Sequence, residues 1–116
     1  MKSTKEFFQN KKILIYGYGK TGKSAFNFLK TKNNLKVFDD NLPLTNLPYN
    51  KKFTRGSDRV RNFDYVLLSP GINYRKCLLS NEIIKNKEKI ISDLDVFYKS
   101  FQENFFITIK GTNGNS

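Results

Sequence analysis

Lys12-Ile13-Leu14-Ile15-Tyr16-Gly17-Tyr18-Gly19-Lys20-Thr21-Gly22 is the stretch on which the fold turns. After Lys12 its next four residues form an apolar and β-branched run without polar alternation, the pattern of a strand buried on both faces of a parallel sheet. Gly17-x-Gly19-x-x-Gly22 follows at once, in the context that gives this spacing meaning: after a strand and at the start of a helix. The first glycine permits a tight turn, the second lets backbone approach a diphosphate, and the third lets helix and strand pack closely. Beyond the last glycine, Ala25, Phe26, Phe28 and Leu29 recur at helical spacing with Lys23, Asn27 and Lys30 between them. They predict a helix of about three turns, ended by Asn33-Asn34. The loop therefore favours diphosphate or nucleotide binding over a βα turn without a ligand.

Leu35-Lys36-Val37-Phe38 reads as a second strand closing on Asp39-Asp40. Asp39 stands at about the separation where dinucleotide enzymes place a ribose-binding carboxylate; a solvated loop acid or a helix cap fits the spacing equally well. Asp40 is read as solvent-facing. Neighbours on an extended chain point to opposite sides, so the two acids do not form a catalytic dyad. Residues 41 to 61 are irregular, with Pro43 and Pro48 as breakers and a short strand at Lys52-Phe53-Thr54. Asp64 to Leu68 is the next apolar strand, and it stops at Ser69-Pro70-Gly71, a turn that could form another edge of the same cleft.

A helix is expected from Lys76 to Asn86, with Leu78, Leu79, Ile83 and Ile84 on one buried face. Lys89-Ile90-Ile91 is a short strand, Asp93 to Gln102 a helix, and Phe105 to Ile109 a last strand. Strand and helix alternating over short connections predict a Rossmann-like doubly wound parallel α/β sheet, with ligands beyond the carboxyl ends of its strands.

The chain of 116 residues is long enough for one modest core. It carries a formal net charge of +11, one cysteine and no histidine. An internal disulfide is excluded, a zinc site is not expected, and Cys77 has no histidine partner for nucleophilic chemistry. No run approaches the roughly 20 apolar residues that span a bilayer, and residues 1 to 12 lack a signal-peptide core, so the expectation is a cytoplasmic protein without a membrane partner. The lysines are scattered over nearly every segment and no nucleic-acid recognition motif accompanies them, so no nucleic-acid partner is expected. The charge does suit a small anionic ligand. The Phe7-Phe8 and Phe105-Phe106 pairs read as core.

Gly111-Thr112-Asn113-Gly114-Asn115-Ser116 reads as a degenerate phosphate loop. Such loops curl backbone N–H groups around phosphates and add a lysine and a magnesium-binding hydroxyl. Asn115 stands in the lysine position, and Ser116 is the candidate metal ligand.

Together, Ile13 to Ser24, Val37-Phe-Asp-Asp40, Leu68-Ser-Pro-Gly-Ile72, Ile91-Ser-Asp-Leu-Asp-Val-Phe97 and Gly111-Thr-Asn-Gly114 resemble the N-terminal part of a Mur ligase. The Gly-Lys-Thr-Gly and Ser-Pro-Gly-Ile segments favour the members that add D-glutamate to UDP-N-acetylmuramoyl-L-alanine in cytoplasmic peptidoglycan precursor synthesis. The resemblance implies a UDP-sugar-binding domain over residues 1–104. Residues 105–116 would be the first strand and phosphate loop of a truncated central ATPase domain. It implies UDP-sugar contacts from Gly17, Gly19, Lys20, Thr21, Gly22, Asp39, Asp40, Asn41, Ser69, Pro70 and Gly71. Gly111, Thr112, Asn113, Gly114, Asn115 and Ser116 would be the remains of the ATP site.

The family is an ADP-forming acid–amino-acid ligase that uses ATP and Mg2+. The resemblance implies that this chain alone binds neither, lacks catalytic residues, and has as its partner a companion polypeptide carrying the remaining domains. Three positions depart from the family pattern: Asn115 for the lysine, Lys110 for a threonine or another small residue, and Asn41 for a basic residue beside the uracil. The alternative of another class is a free-standing module that senses NAD or another nucleotide without turnover.

Overall fold

The computed structural model describes residues 8–98. Four strands form one sheet: β1 (Lys12–Tyr16), β2 (Asn34–Phe38), β3 (Tyr65–Leu68) and β4 (Ile90–Ile91). All pairings are parallel and the order is β2-β1-β3-β4. Ile15 of β1 lies between Val37 of β2 and Leu67 of β3. The chain thus steps from β1 outward to β2, then crosses back over β1 to β3. That reversal opens a crevice between the carboxyl ends of β1 and β3, where open α/β sheets hold their ligands.

Helices cover both faces, because each central strand is apolar on both. Ile13 and Ile15 point to one side, with Leu35, Val37 and Leu67, beneath Ala25, Phe26 and Leu29 of α1 (Lys20–Leu29) and Val96. Leu14 and Tyr16 point to the other side, with Val66, Phe53, Val60 and Phe63, beneath Leu79 and with Ile83 of α2 (Ser80–Lys85). Burying each such side chain stabilises the fold by roughly 1.5–3 kcal/mol. The expected doubly wound parallel architecture is what forms.

Local chemistry sets the element ends. Asn33 closes α1 by donating from Nδ2 to the carbonyls of Leu29 (3.0 Å) and Phe8 (2.9 Å), while its Oδ1 accepts from the Lys11 N–H. One side chain adds a second donor to a helix-end carbonyl that the Lys32 N–H also reaches (3.4 Å), and ties the helix end to the entry of β1. Ser92 and Asp95 form a reciprocal capping box, Asp95 N–H to Ser92 Oγ (3.1 Å) and Ser92 N–H to Asp95 Oδ2 (2.8 Å), which starts the helical segment at 93–98.

Three expectations are corrected. The helix expected from Lys76 begins only at Ser80. Its buried stripe is Leu79 and Ile83, whereas Leu78 and Ile84 are exposed. The strand at Lys52-Phe53-Thr54 is reduced to a single parallel bridge between Lys52 and Val37 on the outer side of β2. Within α1, which starts at Lys20 rather than after Gly22, Phe28 lies on the exposed side. Residues 105–116, with the proposed domain division, the last strand and the phosphate loop, lie outside the described residues, as does the helix beyond 98.

Candidate functional site

The loop after β1 is shaped by its glycines in three different ways. Gly17 has φ +102°, and a Cβ there would lie 2.5 Å from Ser69 Oγ and 2.8 Å from Ser69 Cβ. Its flexibility therefore allows the loops of β1 and β3 to touch. A Cβ on Gly22 would lie 1.9 Å from the Gly17 carbonyl oxygen, so the third glycine sets how closely α1 approaches the strand end. Around Gly19 nothing lies within 4 Å of a Cβ. That open space faces the crevice.

Gly19 is the N-cap of α1, with no side-chain hydrogen bond capping the helix and no acidic residue in its first turn. The first N–H groups of a helix lack intrahelical acceptors and carry the positive end of its dipole. Here no protein anion competes for them within that turn.

A cleft of about 750 Å³ opens at this point. One wall is Gly17, Gly19, Lys20 and Thr21; the loop after β2 supplies Asp39, Asp40, Asn41 and Leu42; the facing wall runs from Ser69 through Pro70, Gly71, Ile72 and Asn73 to Lys76 and Cys77. Every residue expected at the UDP-sugar site except Gly22 lines it, and Gly22 packs behind the loop. The structure therefore gathers three segments that are far apart in sequence.

The two aspartates are fastened to the protein. Asp39 Oδ2 accepts from the Tyr18 N–H (2.7 Å), and its Oδ1 accepts from those of Asn41 (2.8 Å) and Leu42 (2.7 Å). Partial burial alone would raise the Asp39 pKa, but the N–H groups of Leu42, Tyr18 and Asn41 outweigh it and hold the carboxyl below the usual aspartate range. Asp39 thus joins the β2 loop to the glycine loop. The carboxylate is thus neither a solvated acid nor a helix cap, the two non-binding readings of its position; it organises its own loop.

Asp40 departs from its expected solvent-facing role. Its Oδ1 accepts from the Tyr16 hydroxyl (2.5 Å) and its Oδ2 from the Leu78 N–H (3.2 Å), while the Tyr16 oxygen accepts from the Leu79 N–H (3.2 Å). Tyr16 is fully buried. Burial first, and its hydrogen bond to Asp40 second, push its pKa well above the tyrosine range and keep the hydroxyl a neutral donor. These bonds hold the turn at 77–79 onto the strand ends. The late start of α2 follows from the backbone before it, which runs through turns, Lys76 N–H to the Asn73 carbonyl and Ser80 N–H to the Cys77 carbonyl, before the helical bond from Ile83 N–H to the Leu79 carbonyl.

Leu42, Ile72, Asn73, Lys76 and Cys77 also line the cleft, although none was singled out from sequence as a binding residue. The signal for the last two was their place after Ser69-Pro70-Gly71-Ile72, on which a helix was drawn instead. Tyr16 carried a weaker signal, a hydroxyl at the end of an otherwise aliphatic strand. Cys77 is half-buried. Among the described residues no group of three or more His, Cys, Asp or Glu comes together to hold a metal, and no helix is long and apolar enough to cross a membrane. The candidate ATP residues, with Ser116, lie outside the described residues.

Comparison with known proteins gives curated relatives of one kind. The chain is 37% identical over 118 aligned positions to a UDP-N-acetylmuramoylalanine–D-glutamate ligase of Rickettsia prowazekii, covering 94% of this chain and 25% of the relative. It is 35% identical to the protein of that name from Francisella philomiragia, covering 95% and 25%. The relative of that name from Rickettsia bellii is 32% identical, with 90% and 24% covered. The chain thus spans about a quarter of the length of the curated relatives it matches. No family model matches the chain, and no solved structure matches it significantly.

Proposed function

We propose that this chain, which belongs by sequence with the UDP-N-acetylmuramoylalanine–D-glutamate ligases over about a quarter of their length, binds UDP-N-acetylmuramoyl-L-alanine in the cleft between β1 and β3. The observation that carries the reading is the convergence of Gly17–Thr21, Asp39–Asn41 and Ser69–Gly71 around that one cleft, at the point where strand order reverses. The open backbone at Gly19, the first turn of α1 and Lys20 receive the diphosphate. The 39–41 loop, held by the Asp39 carboxylate, lies beside the uracil, and Asn41 offers a neutral amide there. Ser69 to Gly71 form the opposite wall.

In this reading the chain contributes the UDP-sugar end of a cytoplasmic, ATP-dependent, ADP-forming ligation that extends a peptidoglycan precursor by one D-glutamate. The reaction transfers the γ-phosphoryl group of ATP to the substrate carboxylate, and the D-glutamate amine displaces phosphate from the resulting acyl phosphate to form the amide. Such chemistry depends on positioning and on neutralising charge, with Mg2+ supplying part of the latter. The described residues supply positioning: they hold the nucleotide end so that the far carboxylate is presented elsewhere. No catalytic residue is assigned among them.

The NAD reading shares the glycine loop but needs a carboxylate free for the ribose hydroxyls. Asp39 already receives three backbone N–H groups. Calorimetric titration of the chain with UDP-N-acetylmuramoyl-L-alanine, NAD and a DNA oligomer tests the proposal. Saturable binding of the UDP-sugar alone is expected; binding of NAD without the UDP-sugar would overturn it.

A further inference from the structure

The two walls of the cleft each carry one lysine, Lys20 on the glycine-loop side and Lys76 on the Ser69–Cys77 side. Both are exposed, and neither ammonium has a hydrogen bond or ion pair among the described residues. Other cations nearby are engaged. Arg75 lies over the Tyr74 ring and bonds its hydroxyl, Lys23 lies over Tyr18, and Lys36 pairs with Asp58 at 2.9 Å. The carboxylates that line the cleft are tied to Tyr18, Asn41, Leu42, Tyr16 and Leu78, so they do not draw either lysine away.

The backbone beneath Lys76 is anchored on both sides. Its N–H donates to the Asn73 carbonyl at 3.0 Å, and the next two N–H groups but one are latched by Asp40 and the Tyr16 hydroxyl. A long flexible side chain on a fixed root keeps its charge near the cleft mouth while letting the ammonium move onto a ligand. With one cation on each wall, the cleft suits a diphosphate, whose two phosphates offer each lysine its own anionic group.

We propose that Lys76 is a second anion-binding residue of this cleft, closing with Lys20 on the two phosphates of a nucleoside diphosphate ligand. The identity of that nucleoside rests on the UDP-sugar reading above. Charge-assisted contacts from opposite walls would make the cleft discriminate by phosphate number, UDP over UMP, and would make affinity fall with ionic strength.

The test is calorimetric titration of the full chain and its Lys76→Gln, Lys76→Arg and Lys85→Gln variants with UDP, UMP, uridine and inorganic pyrophosphate. Lys85 is exposed on α2 and outside the cleft. Lys76→Gln is expected to weaken UDP about tenfold, to weaken UMP much less, to leave uridine unchanged and to flatten the salt dependence. Lys76→Arg should retain most of the UDP affinity, and Lys85→Gln should match the parent. Unchanged UDP affinity in Lys76→Gln overturns the role of Lys76 and leaves the UDP reading standing. An equal loss for UMP and UDP overturns the two-phosphate clamp. Pyrophosphate binding that depends on Lys76, in a chain that ignores UDP, overturns the UDP reading and keeps the clamp. Failure of the parent chain to bind UDP and pyrophosphate overturns both.

Discussion

One methyl group separates the roles of the three glycines in the loop after β1. At Gly22 it would meet the Gly17 carbonyl at 1.9 Å, and that atom is backbone, so α1 itself must shift. At Gly17 it would add a left-handed φ to a contact with Ser69, a combination that costs on the order of 2–3 kcal/mol. At Gly19 it would meet nothing, and the only expected loss is the preference of an N-cap for glycine over alanine, within about 1 kcal/mol. Urea unfolding should therefore rank Gly19→Ala above Gly17→Ala, with Gly22→Ala least stable. UDP binding should nevertheless fall in Gly19→Ala, because the methyl enters the space through which an anion reaches the helix N-terminus. A Gly19→Ala variant with normal stability and normal UDP affinity would remove that loop from the binding site.

Asp39 allows a second argument at the same scale. Its folded pKa is depressed, so its contribution is fully present above the unfolded pKa, about 4, and is lost as pH falls through the lower folded value. Asp58 is also depressed: burial opposes ionisation, and the Thr54 N–H together with Lys36 more than reverses it. Thermal unfolding followed from pH 7 to pH 3 should show stability declining below about pH 4. Asp39→Asn should reduce that decline and lower stability at pH 7 by about 1–3 kcal/mol, since whichever way the amide flips its NH2 faces a backbone N–H donor. An unchanged acid limb in Asp39→Asn would mean that Asp39 is not a source of it.

At the scale of elements, the four sheet strands were legible, whereas the strand expected at 52–54 and the starts of α1 and α2 were not. Ile13 to Tyr16 and Tyr65 to Leu68 are continuous apolar runs, and residues buried on both faces leave that trace in any sequence. The glycine spacing also announced the loop, and Ser69-Pro70-Gly71 the turn facing it. Strand order was not readable, because the connection from 39 to 64 that carries the chain back across β1 has no periodic pattern. Nor was the start of α2. Leu78, Leu79, Ile83 and Ile84 have helical spacing, but the backbone before Ser80 runs through turns, Lys76 N–H to the Asn73 carbonyl and Ser80 N–H to the Cys77 carbonyl, and Asp40 and Tyr16, 38 and 63 positions away, hold the Leu78 and Leu79 N–H groups.

Tyr16→Phe tests the latch on residues 78 and 79. It strands the buried Leu79 N–H and removes a donor from Asp40, and should cost about 1–3 kcal/mol. Amide exchange should quicken most at Leu78 and Leu79. Should those amides stay as slow as in the parent while global stability falls, the tyrosine would be serving the core alone.

For the whole molecule, the cleft lies between two halves that meet mainly at β1 and β3. One half is β1, β2 and α1 with the glycine and Asp39–Leu42 loops; the other is β3, β4 and α2 with the Ser69–Cys77 wall. A ligand held by both walls binds only when the halves are assembled, so its binding energy adds to the cooperative stability of the sheet. At one hundred times its dissociation constant, UDP should stabilise the chain by about 2.7 kcal/mol. For a unit of this size that corresponds to a rise of roughly 10–20 °C in Tm. Protection from amide exchange should appear together in 17–21 and in 69–79, because neither wall alone completes the site. Raising the salt concentration should shrink the shift, since the attraction is to charge. Protection confined to the glycine loop, with 69–79 unaffected, would show that the nucleotide rests on one wall and that the crevice at the strand reversal is not the full binding site.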